Sequence, residues 1–567
     1  MLASQFTHEI PDARFLNARL SASQRRRAAT VAFFLAVVTA GEVCQAQQPD
    51  LEYRDTRAAS PRAASPYVPL DDPAYAIIDA MHSRGALTTL SMLERPYTLR
   101  DIDTALASDS TLGAPKVSLE RELIRLTRKY RLPDPPNSSE TLRVLVNGAV
   151  YATAQSSAVR ELMLGDTSSG VYPAALARAF AQGGPWIAGV RIITDQRLKH
   201  DPEFMGKTDK KLAGRTEDAY VAGQWRFGEV FVGRLGRNWG PPAVDGLLLG
   251  HYAYTYDHLA LTIGVPALHL TTIAARLDDR QVSADTVAQR YFSIHRLSGR
   301  WRGLEIAASE AIIYGGRGRG FEPKWLNPLN GFYLSQLNES PNVNGSFGSD
   351  GNISYGLEAA FRSHGSGILH GQFQLDDIAV NSCDTFCKKP PSYGFTLTAD
   401  GIRIPGGERF GDTRAYGLYT RVTNLTYRNA TSFEQYAFEN VGLGRGFSDY
   451  DELRLGLDAI IASHHPVRAY FAKRRQGEGD YRIPQPPAAQ FPFTPTFLSG
   501  VVEHVSRIGV SASGTFSRDF DFSGDFGYNR TRNADHVIAR ERNGIEARLV
   551  LRFQLPWNLA RSISPTS

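Results

Sequence analysis

The chain has 567 residues, a formal charge of +5, 51 glycines, 10% aromatic residues, 5 methionines and 3 cysteines. So balanced a charge excludes nucleic acid as an expected partner. The glycine-rich, aromatic-rich and mildly hydrophilic composition suits strands that each turn one face to water.

Arg25, Arg26 and Arg27 precede an apolar run from Ala28 to Ala40, followed by Cys44-Gln45-Ala46. A basic start, a short apolar core and a small residue at the cleavage point predict a signal peptide over residues 1–46. The run is too short for a membrane anchor, and Val43 stands where a lipoprotein signal at Cys44 would carry a small residue. Residues 47–70, rich in Pro, Ala and Ser, read as a linker. A helical region over 71–140 follows, expected in the periplasm. Asp72 is placed to cap a first helix, with Pro73 at its opening position and Tyr75, Ile78 and Met81 at helical spacing. Thr98 and Asp101 have capping-box spacing ahead of a second helix carrying Leu99, Ile102 and Leu106. Ser118 opens a third, with Leu119, Leu123, Leu126 and Tyr130 on one face. Three short helices make a small core, so they are expected to pack against something larger.

From residue 141 to 567 the period becomes two, the period of a strand. Tyr355, Leu357, Ala359 and Phe361 alternate with Glu358 and Arg362, and a turn at 363–367 leads back through Leu369, Phe373 and Leu375. Segment 544–555 places Ile545, Leu549 and Phe553 on one side and Glu546, Arg548 and Arg552 on the other, with the chain expected to trail away from Pro556. Short turns near Gly228, 298–300, 363–367 and 517–519 alternate with long polar loops at about 196–218, 314–352, 376–393, 472–499 and 530–543. With no apolar stretch long enough for a membrane helix, the expected fold is an all-β transmembrane barrel of about 16–18 antiparallel strands with a small N-terminal helical region. The short turns and the C-terminus belong in the periplasm of a Gram-negative bacterium, and the barrel in its outer membrane. An exported soluble sandwich or propeller is the competing architecture; it lacks a blade or repeat period here.

Segment 295–340, with SEAIIYGG and LNPLN, then LDDI within 369–378, and GRLGRNWGPP at 233–242, resembles the Wzi capsule assembly family. The resemblance implies an outer-membrane barrel of about eighteen strands, similar to surface lectins that hold capsular or exopolysaccharide on the cell. It departs from that family in the Cys383/Cys387 loop, whose two cysteines are most simply a local disulfide in an exported protein.

Sugar sites combine aromatic rings with Arg and amide or carboxylate groups. Arg237, Trp239, Tyr314, Arg317, Arg319 and Trp325 offer that mixture in segments assigned to the outer end. The blander alternative makes Trp239 and Trp325 anchors of loops folded into the lumen, with Glu310, Asp376 and Asp377 pairing with Arg317 or Arg319. No metal site or cofactor is expected, since two thiols without clustered His make a poor ligand set. His464-His465 lacks the spacing of a zinc hydrolase, the GGRGRG run at 315–320 lacks a strand-turn-helix setting, and no GxSxG is present, so the protein is not expected to be an enzyme. The expected partners are the polysaccharide, outer-membrane lipid and the polysaccharide export machinery, with the chain itself a monomer. A porin or polysaccharide export channel is the alternative function.

Overall fold

The computed structural model describes residues 63–567 except 110–113, 134–141, 158, 165–168, 339–350, 364–366, 378–388, 463 and 564–567. The segment expected as a signal peptide, most of the expected linker and both Cys383 and Cys387 lie outside the described residues.

Eighteen antiparallel strands close into a barrel. Each pairs with its neighbour in the chain, and the last, Glu541–Ile563, pairs with the first, Leu142–Gln155. The period-two pattern sorts side chains as its chemistry requires. On Asn352–Ser363, Leu357 and Phe361 are exposed on the outside, while Glu358 and Ala360 are buried on the lumenal side. On the last strand Ile545, Leu549 and Phe553 point outward, whereas Arg552 reaches Asp521 inside. Four of the six tryptophans, Trp186, Trp225, Trp301 and Trp557, are exposed near the short-turn end, where an aromatic girdle marks the membrane boundary.

Two expectations about the strands are corrected. The turn expected at 298–300 lies at Arg302 and Gly303, with φ of 48° and 85°. A two-residue hairpin loop needs such left-handed positions, and Trp301 pairs with Leu304 across it. The chain does not trail away at Pro556: the last strand continues to Ile563. Its register slips between the Asn147–Asn558 and Ala149–Gln554 pairs, forming a bulge that accommodates a proline without an N–H to give. Gly148 sits opposite, where a Cβ would come within 2.9 Å of the Leu176 carbonyl oxygen.

The N-terminal helices α1 (Ala74–His82), α2 (Leu99–Ser108) and α3 (Ala114–Thr127) enter from the short-turn end. Asp72 accepts a hydrogen bond from the Ala74 N–H, and Thr98 and Asp101 form the capping box. The third helix begins four residues before Ser118, at Ala114. Ile77, Ile78, Leu99, Ile102, Leu119 and Leu123 share one core with Phe180, Ile187, Phe231 and Phe292 of the lumenal wall. Beyond α1 the chain climbs into the lumen, where Glu94-Arg95 pairs antiparallel with Asn238-Trp239 from the 235–256 loop. That loop packs Leu248 against Gly356, where a Cβ would lie 2.6 Å from the leucine.

Charge fastens this plug to the wall. Glu94 bonds Arg296 and His269, both at 2.9 Å, and Arg296 also meets Glu358 at 2.6 Å. Gln372 ties the 235–256 loop to the same knot: it donates to Glu358 and to the Trp239 carbonyl and accepts from the Leu247 N–H. Burial favours the neutral form of Glu94, but hydrogen bonds and charge from His269, Arg296 and Ser298 prevail and hold its carboxyl far below the usual range. A carboxylate depressed in the folded state stabilises fully above its unfolded pKa, about 4.3 for Glu, and loses that contribution as pH falls towards the folded value. Glu94→Gln should therefore lower thermal stability by about 1–3 kcal/mol at pH 7. Its gap from the parent protein should narrow on acidification below pH of about 4, measured as melting temperature in detergent; a gap independent of pH would contradict this role.

Candidate functional site

The structure divides the six residues singled out in the sequence between two sides of the barrel wall. Arg237 and Trp239 lie in the lumen. Arg237 bonds His258 at 2.9 Å and lies over the Phe231 ring at 4.7 Å. Trp239 is buried beneath the Arg296 guanidinium, 5.1 Å from its ring centroid.

Tyr314, Arg317, Arg319 and Trp325 lie on the outside. Tyr314 pairs in register with Tyr291, on the sheet face that carries exposed Leu297, Trp301 and Ile306. Trp325 and Phe332, both fully buried, fold back over this membrane-side face and cluster with Tyr291, Ile312 and Tyr314. The strap they belong to runs into the short helix α4 (Phe332–Asn338). The Phe332 and Tyr333 N–H groups donate to Glu310 at 2.9 and 3.0 Å, and Thr272 donates to the Leu326 carbonyl at 3.2 Å. Arg319 bonds Glu322 at 2.7 Å, its guanidinium 5.0 Å from the Tyr314 ring centroid, while Arg317 is exposed. The expectation that this loop enters the lumen, with Glu310 and Asp376 pairing with Arg317 or Arg319, is corrected accordingly. Asp376 instead accepts from the Tyr427 N–H at 2.8 Å and from Ser354. The physical reason is the apolar outward row Tyr291, Ile312 and Tyr314, which Trp325 and Phe332 cover. Phe321, Leu329 and Leu334 remain exposed on the strap, a surface suited to the interfacial zone of a membrane.

A different cluster occupies the long-loop end. Five connections and one strand end supply it: Arg160, Asp201 with Glu203, Arg215, Tyr252 with Tyr254, Asn440, and Tyr481 with Arg482. Tyr254 is held between two guanidinium groups, Arg160 at 3.9 Å and Arg215 at 4.0 Å from its ring centroid. Its hydroxyl donates to Asp201 at 2.5 Å, and Arg160 pairs with Asp201 and Glu203 at 3.1 and 3.3 Å. Arg482 joins from the far loop, 2.8 Å from Glu203, and its Nε donates to the Asn440 carbonyl. Local turns position the acids: Asp201 accepts from the Glu203 N–H, and Asp195 caps the turn before them. Burial raises the Glu203 carboxyl despite Arg160 and Arg482, and pushes the Tyr481 hydroxyl up to about 12. Arg482 and Asp480 are each about a third exposed, leaving a cation and a carboxylate open to solvent beside the locked tyrosine. Such a surface can bond sugar hydroxyls and carboxylates. The sequence held one signal for it, the tyrosine-rich run HYAYTY at 251–256.

No protein-family model matches the chain, and no curated protein matches it by sequence. Its fold is similar to that of Wzi of Escherichia coli, described as an outer-membrane, carbohydrate-binding β-barrel involved in group 1 capsule assembly. The TM-score is 0.57 at 13% identity, over 87% of this chain and 99% of that one. OccK1 (OpdK) of Pseudomonas aeruginosa matches at TM-score 0.39 and 12% identity over 74% of this chain and 99% of its own. The outer-membrane channel DcaP of Acinetobacter baumannii matches at 0.34 and 9% over 75% and 100%. The chain is an outer-membrane β-barrel.

Trp325→Ala should loosen the strap without opening the barrel. Losing a buried tryptophan costs about 3–5 kcal/mol, which here falls on one local unit. Trypsin should cut after Arg319 or Lys324 at least about a hundredfold faster, by roughly the exponential of that cost, while heat-modifiable migration in gels stays intact. Unchanged cleavage would show that the indole does not hold the strap.

Proposed function

We propose that this barrel binds capsular or exopolysaccharide at its outer mouth and so retains the polymer on the cell surface. The observation that carries the reading is the mouth network, in which Arg160, Arg215 and Arg482 interleave with tyrosines and carboxylates above a plugged lumen. Aromatic and guanidinium groups locked by several loops form a prepared surface, so little ordering is needed on binding. The resemblance to the Wzi family and the similar fold of the carbohydrate-binding Wzi barrel agree with it. In this reading the chain is a monomer, works without catalysis, and stands beside the machinery that exports the polymer.

Binding of purified capsular or exopolysaccharide to the detergent-solubilised protein tests it. Arg482→Ala, at the exposed edge of the network, should weaken binding about tenfold, the loss of one charge-assisted hydrogen bond. No binding by the parent protein, together with normal polymer retention in a deletion strain, would end the proposal.

A second reading, an export channel, draws on a cavity of about 420 Å³ between α1 and the wall, lined by His82, Arg84, Asp400, Arg468 and Asp525. Planar-bilayer recording separates the two. A binding protein plugged through Glu94 and Trp239 should give almost no steady conductance, whereas sustained openings would favour the channel.

A further inference from the structure

The outward face of the wall carries a second charged feature, made of other residues than the mouth network and unused by the proposed function. On the strands Arg414–Val422, His465–Gln476 and Phe520–Arg532, outward residues change from apolar to cationic towards the long loops, while the intervening strands Tyr450–Ile461 and Glu503–Ser517 end on Asp451 and on Ser506 and His504. The last fully apolar row pairs Leu455, Phe471, Ile508 and Tyr528 in register, each 40–68% exposed. Two residues further on, Lys473 and Arg530 flank Ser506. Two further still, Arg421, Asp451, Arg475, His504 and Arg532 continue the next row.

Since side chains alternate, these cations point away from the lumen and into the zone where hydrocarbon gives way to headgroups. The carboxylates on this face are few: Asp451 pairs with Arg475, and Glu541 stands 3.9 Å from Arg532. Among the described residues Lys473 and Arg530 have no ion-pair partner, and both are exposed. With strands about 4.8 Å apart, the two lie roughly 10 Å from each other across Ser506. Phe497, from the loop above, is held against the Arg421 guanidinium at 3.6 Å. A cationic rim directly above apolar side chains matches a lipid whose acyl chains lie against Phe471, Ile508 and Tyr528 and whose headgroup bears phosphate. At the depth where hydrocarbon gives way to headgroups, two unpaired cations at that spacing attract an anionic headgroup, at about 1 kcal/mol for each Lys or Arg near the surface.

We infer that Lys473 and Arg530, flanked by Arg421, Arg475 and Arg532, form a binding site for the phosphate-bearing headgroup of an outer-leaflet lipid. Lys473 supplies a point charge and Arg530 a two-pronged donor to the phosphate oxygens.

The test is binding of purified lipopolysaccharide, and of the same lipid after enzymatic dephosphorylation, to the full detergent-solubilised chain. The parent protein should prefer the phosphorylated lipid. The double variant Lys473→Gln/Arg530→Gln should bind it at least about tenfold more weakly, at roughly fivefold per cation near a membrane surface. Equal affinity of the parent protein for both lipids would overturn the proposal without any variant and so without dependence on folding. A double variant that binds the phosphorylated lipid as tightly as the parent would overturn it too. So would one that loses capsular polysaccharide alone, since the patch would then belong to the polymer.

Discussion

Hydrocarbon offers no water to a peptide group, so every N–H and C=O of a spanning strand must bond to another strand. This chain meets that demand by joining Leu142–Gln155 to Glu541–Ile563 across almost its whole length. Closure with an even number of strands places both ends of the barrel segment on the short-turn side. The N-terminal helices therefore reach the lumen from that side, and the long connections are left to build the outer face. Even the bulge at Pro556 serves closure, since it extends pairing to Ile563 where a proline would otherwise stop the ladder.

A barrel of this size encloses more space than wall side chains fill, and its inner surface is lined with charge. The answer is two pieces of chain meeting at the Glu94, Arg296, Glu358 and Gln372 knot, each charge answered by its neighbour. Removing one partner leaves another buried and unanswered, which is why such networks fix a single arrangement while adding modest net stability. The tryptophans follow the same division of solvents. Four mark the membrane boundary, Trp239 fills the plug, and Trp325 closes an apolar patch on the outer wall.

Much of this was legible in the residues. The alternation through Tyr355, Leu357 and Phe361, the Thr98–Asp101 capping box and the order of short and long connections each report a local rule. The turn at Arg302-Gly303 was displaced by three residues because a non-glycine residue occupies a left-handed position there. Proline at 556 looked like a stop because pairing across a bulge depends on a partner strand some four hundred residues away. The mouth network was almost illegible: Arg160, Tyr254 and Arg482 come from three loops, and HYAYTY at 251–256, its one local signal, does not by itself mark a site.

The sequence by itself determined that the chain forms a membrane barrel, which face of each strand meets lipid, and which end carries the long loops. Those properties follow from period, turn length and polarity, and each is decided by residues close together in the chain. Only the tertiary structure decided that Trp239 lies within the lumen and Trp325 outside it. An aromatic loop residue is equally at home against either side of the wall, and its partners, Arg296 for one and Tyr291 with Tyr314 for the other, are fixed only when the sheet closes.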